Sequence, residues 1–215
     1  VTNPPIDPLR ESIVMSLETC LGREQNVFEQ GPEHADRIII SSPVLSHSKM
    51  QQLRDVEKER AGYAVADINL NYAETEGLQA AVARICEEAA QAVRDGKTLI
   101  VLTDKNIREG FLPANSVLVT GAVHHYLIQV GLRTDANILV ETGFARDPHQ
   151  FAVLLGFGAT AIYPYLAYDV INDLVAKGEL LGDPIYAQAN FRKGIEKGLL
   201  KVLSKMGIST VASYR

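Results

Sequence analysis

Four charged residues stand where an α/β protein could use them. Asp104 follows the apolar run Leu99-Ile-Val-Leu, Glu141 ends the run from Asn137, and Arg146-Asp147 lie one short loop later. Carboxy-terminal strand ends are where such proteins place active sites. These side chains could therefore serve a self-contained α/β enzyme or a phosphate-ligand binder. Each also has a structural use. Asp104 can close an Asx-turn, Asp147 can cap a helix, and Glu141 can pair with Arg146. No nucleophile or metal set is adjacent in sequence, and position at a strand end alone assigns no chemistry.

Two further patterns invite chemistry. Gly156-Phe-Gly158-Ala-Thr-Ala161 has the glycine spacing of a dinucleotide loop. That loop must follow a strand and open a helix. Here a helix is expected before the glycines and a strand after them, so a helix cap is the better reading. His124 and His125 are adjacent, and on a helix they diverge by about 100°. Neither a zinc spacing nor a catalytic triad emerges among the five histidines. Cys20 and Cys86 sit in apolar, helix-like surroundings and read as reduced core thiols, which fits a cytoplasmic location. Two cysteines cannot ligate an iron–sulfur cluster.

The elements that must position these groups follow from periodicity. Apolar runs at Ile38–Ile40, Tyr63–Leu70, Leu99–Leu102, Ile138–Val140 and Ala159–Tyr163 predict strands, and a helical pattern follows each. We expect a helix from Asp7-Pro8 to Leu21, ended by Gly22, after an extended segment at Val1–Ile6. We expect Ser46 and Thr75 as helix caps, with a mostly polar helix after Ser46. Asp147-Pro148 cap and open another helix, which Gly156 closes. An amphipathic helix at 188–207 carries Phe191, Ile195, Leu199, Val202 and Met206 inward and Lys201 and Lys205 outward. Five βα units are too few for a closed eight-fold barrel. The expected fold is α/β, with parallel βα units forming an incomplete, degenerate TIM-barrel-like domain. It is read as one domain over 1–215: segment and helix at 1–22, βα core at 37–178, and terminal helix at 188–207.

Composition narrows the class. The chain has 215 residues, 47% apolar and 22% charged, which is ordinary for a globular protein. A net charge of −5 argues against a nucleic-acid surface, and no apolar run reaches the length of a membrane span. The start at Val1 and stop at Ser213-Tyr214-Arg215 read as the ends of an excised domain.

Longer words carry a resemblance. They are Val-Thr-Asn-Pro-Pro-Ile-Asp-Pro-Leu-Arg-Glu at 1–11, Val-Met-Ser-Leu at 14–17, Leu-Gly-Arg-Glu-Gln-Asn at 21–26, Ala-Asn-Ile-Leu-Val-Glu-Thr at 136–142, Leu-Leu-Gly-Phe-Gly-Ala-Thr-Ala-Ile-Tyr-Pro-Tyr-Leu-Ala-Tyr at 154–168 and Lys-Gly-Leu-Leu-Lys-Val-Leu-Ser-Lys-Met-Gly-Ile-Ser-Thr at 197–210. With them the chain resembles the central domain of the glutamate synthase large subunit, most closely the bacterial NADPH-dependent type. The ferredoxin-dependent type shares the same words. About 30–75 and 172–190 vary.

The resemblance implies a role inside a larger iron–sulfur flavoprotein. An amidotransferase domain frees ammonia from glutamine with an N-terminal cysteine. An FMN domain adds that ammonia to 2-oxoglutarate and reduces the product to glutamate. Electrons come through a small subunit or ferredoxin. The central domain links the two and helps wall the ammonia tunnel. Residue 1 here is Val1, and the family's cluster cysteines and FMN site lie outside this stretch. No catalytic, cofactor or metal residue is therefore carried over, and the isolated chain is expected to be inactive and colourless. Thr2 and Asn3 are the candidates for tunnel lining, from their place in the Thr-Asn-Pro motif.

Overall fold

The computed structural model describes residues 4–214; Thr2 and Asn3 lie outside the described residues. The chain opens with a one-turn helix α1 (Glu11–Val14), strand β1 (Thr19–Leu21) and strand β2 (Ile38–Ile40). Helix α2 (His47–Asp55), strands β3 (Val65–Asn69) and β4 (Asn71–Ala73), and helix α3 (Leu78–Arg94) follow. Next come β5 (Leu99–Thr103), β6 (Phe111–Pro113), α4 (Ser116–Gln129), β7 (Asn137–Glu141) and α5 (Pro148–Gly156). Strand β8 (Ala161–Tyr163), helices α6 (Tyr165–Ala176) and α7 (Pro184–Met206), and a 3₁₀ turn at Val211–Tyr214 follow.

The central sheet runs β3-β5-β7-β8, all parallel. Its strands are near-continuous apolar runs because both faces are covered. Ile68, Ile100, Leu102, Ile138, Val140 and Ile162 face one core, closed by α3, α4, α5 and α7. Leu99, Val101, Leu139, Ala161 and Tyr163 face the other, closed by Met50 and Leu53 of α2, with Leu21, Ile40 and Tyr168. The helices on the first face correspond to the outer ring of a βα-barrel. The second face corresponds to the barrel interior, and α2 lies on it in place of the missing strands. Residues 43–45 extend the sheet beyond β8: Ile162 N–H donates to Pro43 O at 2.7 Å, and Leu45 N–H to Ile162 O at 2.9 Å.

Side-chain caps fix several helix starts. Ser46 accepts from Lys49 N–H, Asn115 from Val117 and Leu118 N–H, and Asp183 from Ile185 and Tyr186 N–H. Asp147 and Gln150 form a reciprocal capping box ahead of Pro148. Gly158, at φ 111°, is the left-handed residue after α5, whereas Gly156 is still helical. Gly198 of α7 lies against Pro148, where a Cβ would come within 2.3 Å of the ring; the two helices meet at the width of a glycine.

Several expectations need correction. The helix over residues 7–21 is a single turn. Asp7 bonds back on Leu9 and Arg10 N–H, and Thr19–Leu21 leaves to pair antiparallel with Ile38–Ile40. Ile38–Ile40 is therefore a ribbon strand, not part of the parallel sheet. Cys20 is exposed on that ribbon, while Cys86 is buried in α3. α3 starts after Gly77, at φ 76°, rather than at Thr75. α7 starts at Pro184, four residues before the expected 188, because Asp183-Pro184 is a cap and first turn. On α6, the spacing of Leu166, Val170, Ile171 and Leu174 predicts one apolar stripe, yet Leu166 and Val170 are exposed and the helix buries Ala167 and Tyr168 instead. The lysine face of α7 is not wholly solvated, since Lys201 pairs with Glu11. No helix among the described residues is long and apolar enough to cross a membrane.

Candidate functional site at the carboxy-terminal ends of the strands

Strand pleating sends alternate side chains to opposite faces. The interior face of the sheet therefore ends in a polar row. Asn69, Thr103, Glu141 and Tyr163 stand in direct register across β3, β5, β7 and β8. Asp67 lies one step below Asn69 on the same face of β3.

Helix α2 lies along this row. His47 and Arg54 are seven residues apart, two helical turns, so they share a face with the buried Met50. His47 Nδ1 is 2.9 Å from the Tyr163 hydroxyl. Arg54 donates to both oxygens of Asp67, at 2.5 and 2.6 Å, and to Glu141 Oε2 at 3.1 Å. The Thr103 hydroxyl donates to the same Glu141 oxygen at 2.6 Å. Glu141 is only 5% exposed, and Arg54 and Thr103 supply the compensation that a buried carboxylate requires. Burial first, then the charges of Glu141 and Asp169, push the Tyr163 hydroxyl up to about 12. Tyr163 is therefore neutral at physiological pH.

Asp104 belongs to a second, adjacent cluster. It is buried and accepts from the Thr142 hydroxyl and, at 3.0 Å, from Gly143 N–H. Burial raises its carboxyl above the usual range, while the Thr142, Gly143 and Tyr165 hydrogen bonds oppose the rise. The sign follows from linkage. A carboxyl raised in the folded state favours folding when protonated, so that contribution is present below the ordinary value of 3.8 and lost as pH rises through the raised one. Wild-type protein should gain stability relative to Asp104→Asn as pH falls through that window. Chemical denaturation of both proteins across pH 3.5 to 7 measures the difference. A constant difference would refute the burial of an ionisable Asp104.

Beside the row opens a cleft of about 570 Å³, lined by Asn69, Asn71, Lys105, Asn106, Arg108 and Phe111 together with the Arg54 network.

The structure brings Asp104 and Glu141 to the same strand-end face, as their positions imply. Both carboxylates are engaged by internal donors. Arg146 is exposed and does not pair with Glu141; Arg54 takes that place. Asp147 is the cap it was read to be. Asp67, Arg54 and His47 were not singled out from sequence. The i, i+3, i+7 spacing of His47, Met50 and Arg54 on a helix read as mostly polar was the available signal.

The cofactors of the implied parent find no fit here. Cys20 on β1 and Cys86 in α3 cannot supply the thiolates of an iron–sulfur cluster. At the Gly156/Gly158 segment a helix precedes and a strand follows, and a Cβ on Gly158 would meet His124 Nδ1 at 2.4 Å. That backbone packs against a side chain rather than opening to a flavin phosphate. Among the described residues no group of three or more His, Cys, Asp or Glu could hold a metal ion.

The architecture defines an α/β domain of the degenerate TIM-barrel-like class. A double mutant of flavocytochrome b2 with pyruvate bound has this fold in part. It aligns with a TM-score of 0.50 and 14% identity over 77% of this chain and 36% of that one. The glutamate synthase central domain family matches residues 1–215, and the chain belongs to that family. It is 40% identical to glutamate synthase [NADH] of Schizosaccharomyces pombe over all of this chain and 10% of that protein. It is 42% identical to the chloroplastic ferredoxin-dependent glutamate synthase of Oryza sativa and 39% identical to the glutamate synthase [NADPH] large chain of Bacillus subtilis. Each match covers all of this chain and 14% of the relative. The chain thus spans between a tenth and a seventh of the length of these relatives.

Proposed function

We propose that this chain is the connecting domain of a glutamate synthase. It stands between the glutamine amidotransferase domain and the FMN domain of one polypeptide and helps wall the path of ammonia from one to the other. The observation that carries this reading is the family match along residues 1–215. The strand-end site supports it from the other side. Asp104 and Glu141 are committed to internal hydrogen bonds and an ion pair, as structural groups are, and the hydroxyls beside them, Thr142 and Thr103, are spent donating to these carboxylates. The reading of a self-contained enzyme on this face has no comparable support. In the proposed assembly electrons reach the FMN domain from a small subunit or ferredoxin, in the cytoplasm, and residues 1–215 act as one unit.

Thr2 and Asn3 line the path in this proposal. A threonine hydroxyl and an asparagine amide can each hydrogen-bond neutral ammonia and leave room for passage. The stiff Pro4-Pro5 step that follows suits a domain boundary. Thr2→Trp in the polypeptide carrying all three domains should obstruct transfer without touching either half-reaction. Glutamate formed per glutamine hydrolysed should fall several-fold, while synthesis from added ammonia is unchanged. If the two products stay in step at an unaltered rate, Thr2 is not on the path.

A further inference from the structure

Exposed apolar side chains gather at one end of the domain. In βα units each strand ends, and the next helix starts, at the same end. That end carries Ile107 in the β5–β6 loop, Phe111 and Leu112 on β6, Leu118 in the first turn of α4, Phe144 after β7 and Leu166 in the first turn of α6. These side chains are 37–53% exposed. A single exposed leucine needs no explanation, but six large apolar residues from five separate segments around the strand ends form a patch. The segments are neighbours in space. β6 pairs with β4, which directly follows β3, and a Cβ on Gly143 would stand 3.2 Å from Leu166. The outward side of α3 is its opposite in kind. Glu76 and Glu88 both pair with Arg84, while Glu87 pairs with Arg94 and accepts from the Tyr126 hydroxyl. Charges spent on one another along a helix suit a face that stays in water.

We infer that the strand-end face docks against another domain of the same polypeptide, one that presents an apolar surface to it, while the outward side of α3 faces water. The length of chain beyond this domain argues for that occupant. The chain spans 10% of one glutamate synthase and 14% of two others, so most of such a polypeptide is at hand to cover the patch. A linked domain meets the patch at a high effective concentration, which a separate copy of the chain does not. Leucine, isoleucine and phenylalanine are also the chemistry of the apolar centre of an interface rather than of its polar rim. The inference rests on the chain's place within a longer polypeptide and makes no use of the ammonia path, so either idea can fail alone.

Thiol labelling of the full-length polypeptide tests it. Phe144→Cys and Leu166→Cys report on the patch, and Ala83→Cys, at an exposed position of α3, reports on the water-facing side. Maleimide incorporation is read peptide by peptide by mass spectrometry, so other cysteines do not interfere. Both patch positions should label at least about tenfold more slowly than Ala83→Cys, and equally so at protein concentrations about tenfold apart. Hydroxyl-radical footprinting of the wild-type polypeptide carries the same test without a substitution. Oxidation of Phe111 and Phe144 should be at least about tenfold slower than in the urea-unfolded polypeptide, more than their partial burial within this domain accounts for. Two results would overturn the inference. One is patch positions that fall short of this protection. The other is protection that disappears on dilution, which would assign the patch to a second copy of the chain.

Discussion

Leu139→Asp is expected to lose roughly 3–5 kcal/mol of folding stability, the range for an uncompensated charge in a packed interior. Leu139 is the middle residue of β7, 1% exposed, with Val101 and Ala161 in register on either side. Its side chain points into the core between the sheet and α2, alongside Leu99 and Met50. The polar side chains nearest along β7 on this face, Asn137 and Glu141, are each one full pleat away and already engaged. The introduced carboxyl would have to ionise without a partner or stay protonated at a cost. Domains of this size carry about 5–15 kcal/mol in total, and each kcal/mol moves the midpoint by about 2–4 °C. The melting temperature should therefore fall by roughly 10 °C, and by less at pH 4, where protonation relieves the charge. Leu139→Met is the control and should cost less than about 1.5 kcal/mol. A melting temperature within 2 °C of wild type for Leu139→Asp would mean that β7 is not a central strand.

The second large effect is expected at Arg54. Arg54→Met removes the cation that joins Asp67 to Glu141 and leaves Glu141, 5% exposed, with the Thr103 hydroxyl as its remaining donor. Breaking a fully buried pair costs about 3–5 kcal/mol. Arg54 is 24% and the Asp67 side chain 51% exposed, so solvent screens much of the network and about 2 kcal/mol is the expected loss. The loss belongs to the stranded carboxylate, so Glu141→Gln should recover part of it in the double variant. A double-mutant cycle between the two positions should return a coupling of roughly 1–3 kcal/mol. Methionine can still cover the sheet as the arginine stem does, which separates charge from packing. Zero coupling would show that the contact between helix and row contributes nothing to folding.

The elements legible in the sequence are those whose cause is local. β5 and β7 announce themselves as unbroken apolar runs because both their faces are buried. The Asp147-Pro148 start of α5 is a cap whose donors and acceptor lie within four residues. Asp183-Pro184 carries the same signal at α7, and reading it as a loop cost four residues of helix. The misread segment is instructive. Ile13, Val14, Leu17 and Leu21 have helical spacing, yet Thr19–Leu21 is a strand because its partner, Ile38–Ile40, lies 19 residues further on. Leu21 and Ile40 then enter the core between sheet and α2. Tertiary burial outweighs a weak local preference for helix.

At the candidate site the division is the same. The sequence by itself determined that Asp104 and Glu141 end parallel strands, and hence that they share a face of the domain; strand direction and chain order require it. It determined the family too, through words spread along the chain. Only the tertiary structure decided what those carboxylates do. Glu141 meets Arg54 from 87 residues away in sequence, not Arg146 five residues on. Asp104 turns to Thr142 and Gly143 across the β5–β7 boundary rather than to its own loop. α2, mostly polar in sequence, covers the interior face and lays His47 and Arg54 along the row. The physical reason is that hydrophobic patterning records how far a side chain is buried and not against what. A buried charge takes whichever partner the packed helices bring within 3 Å or so, and that partner is set by the closing of the fold.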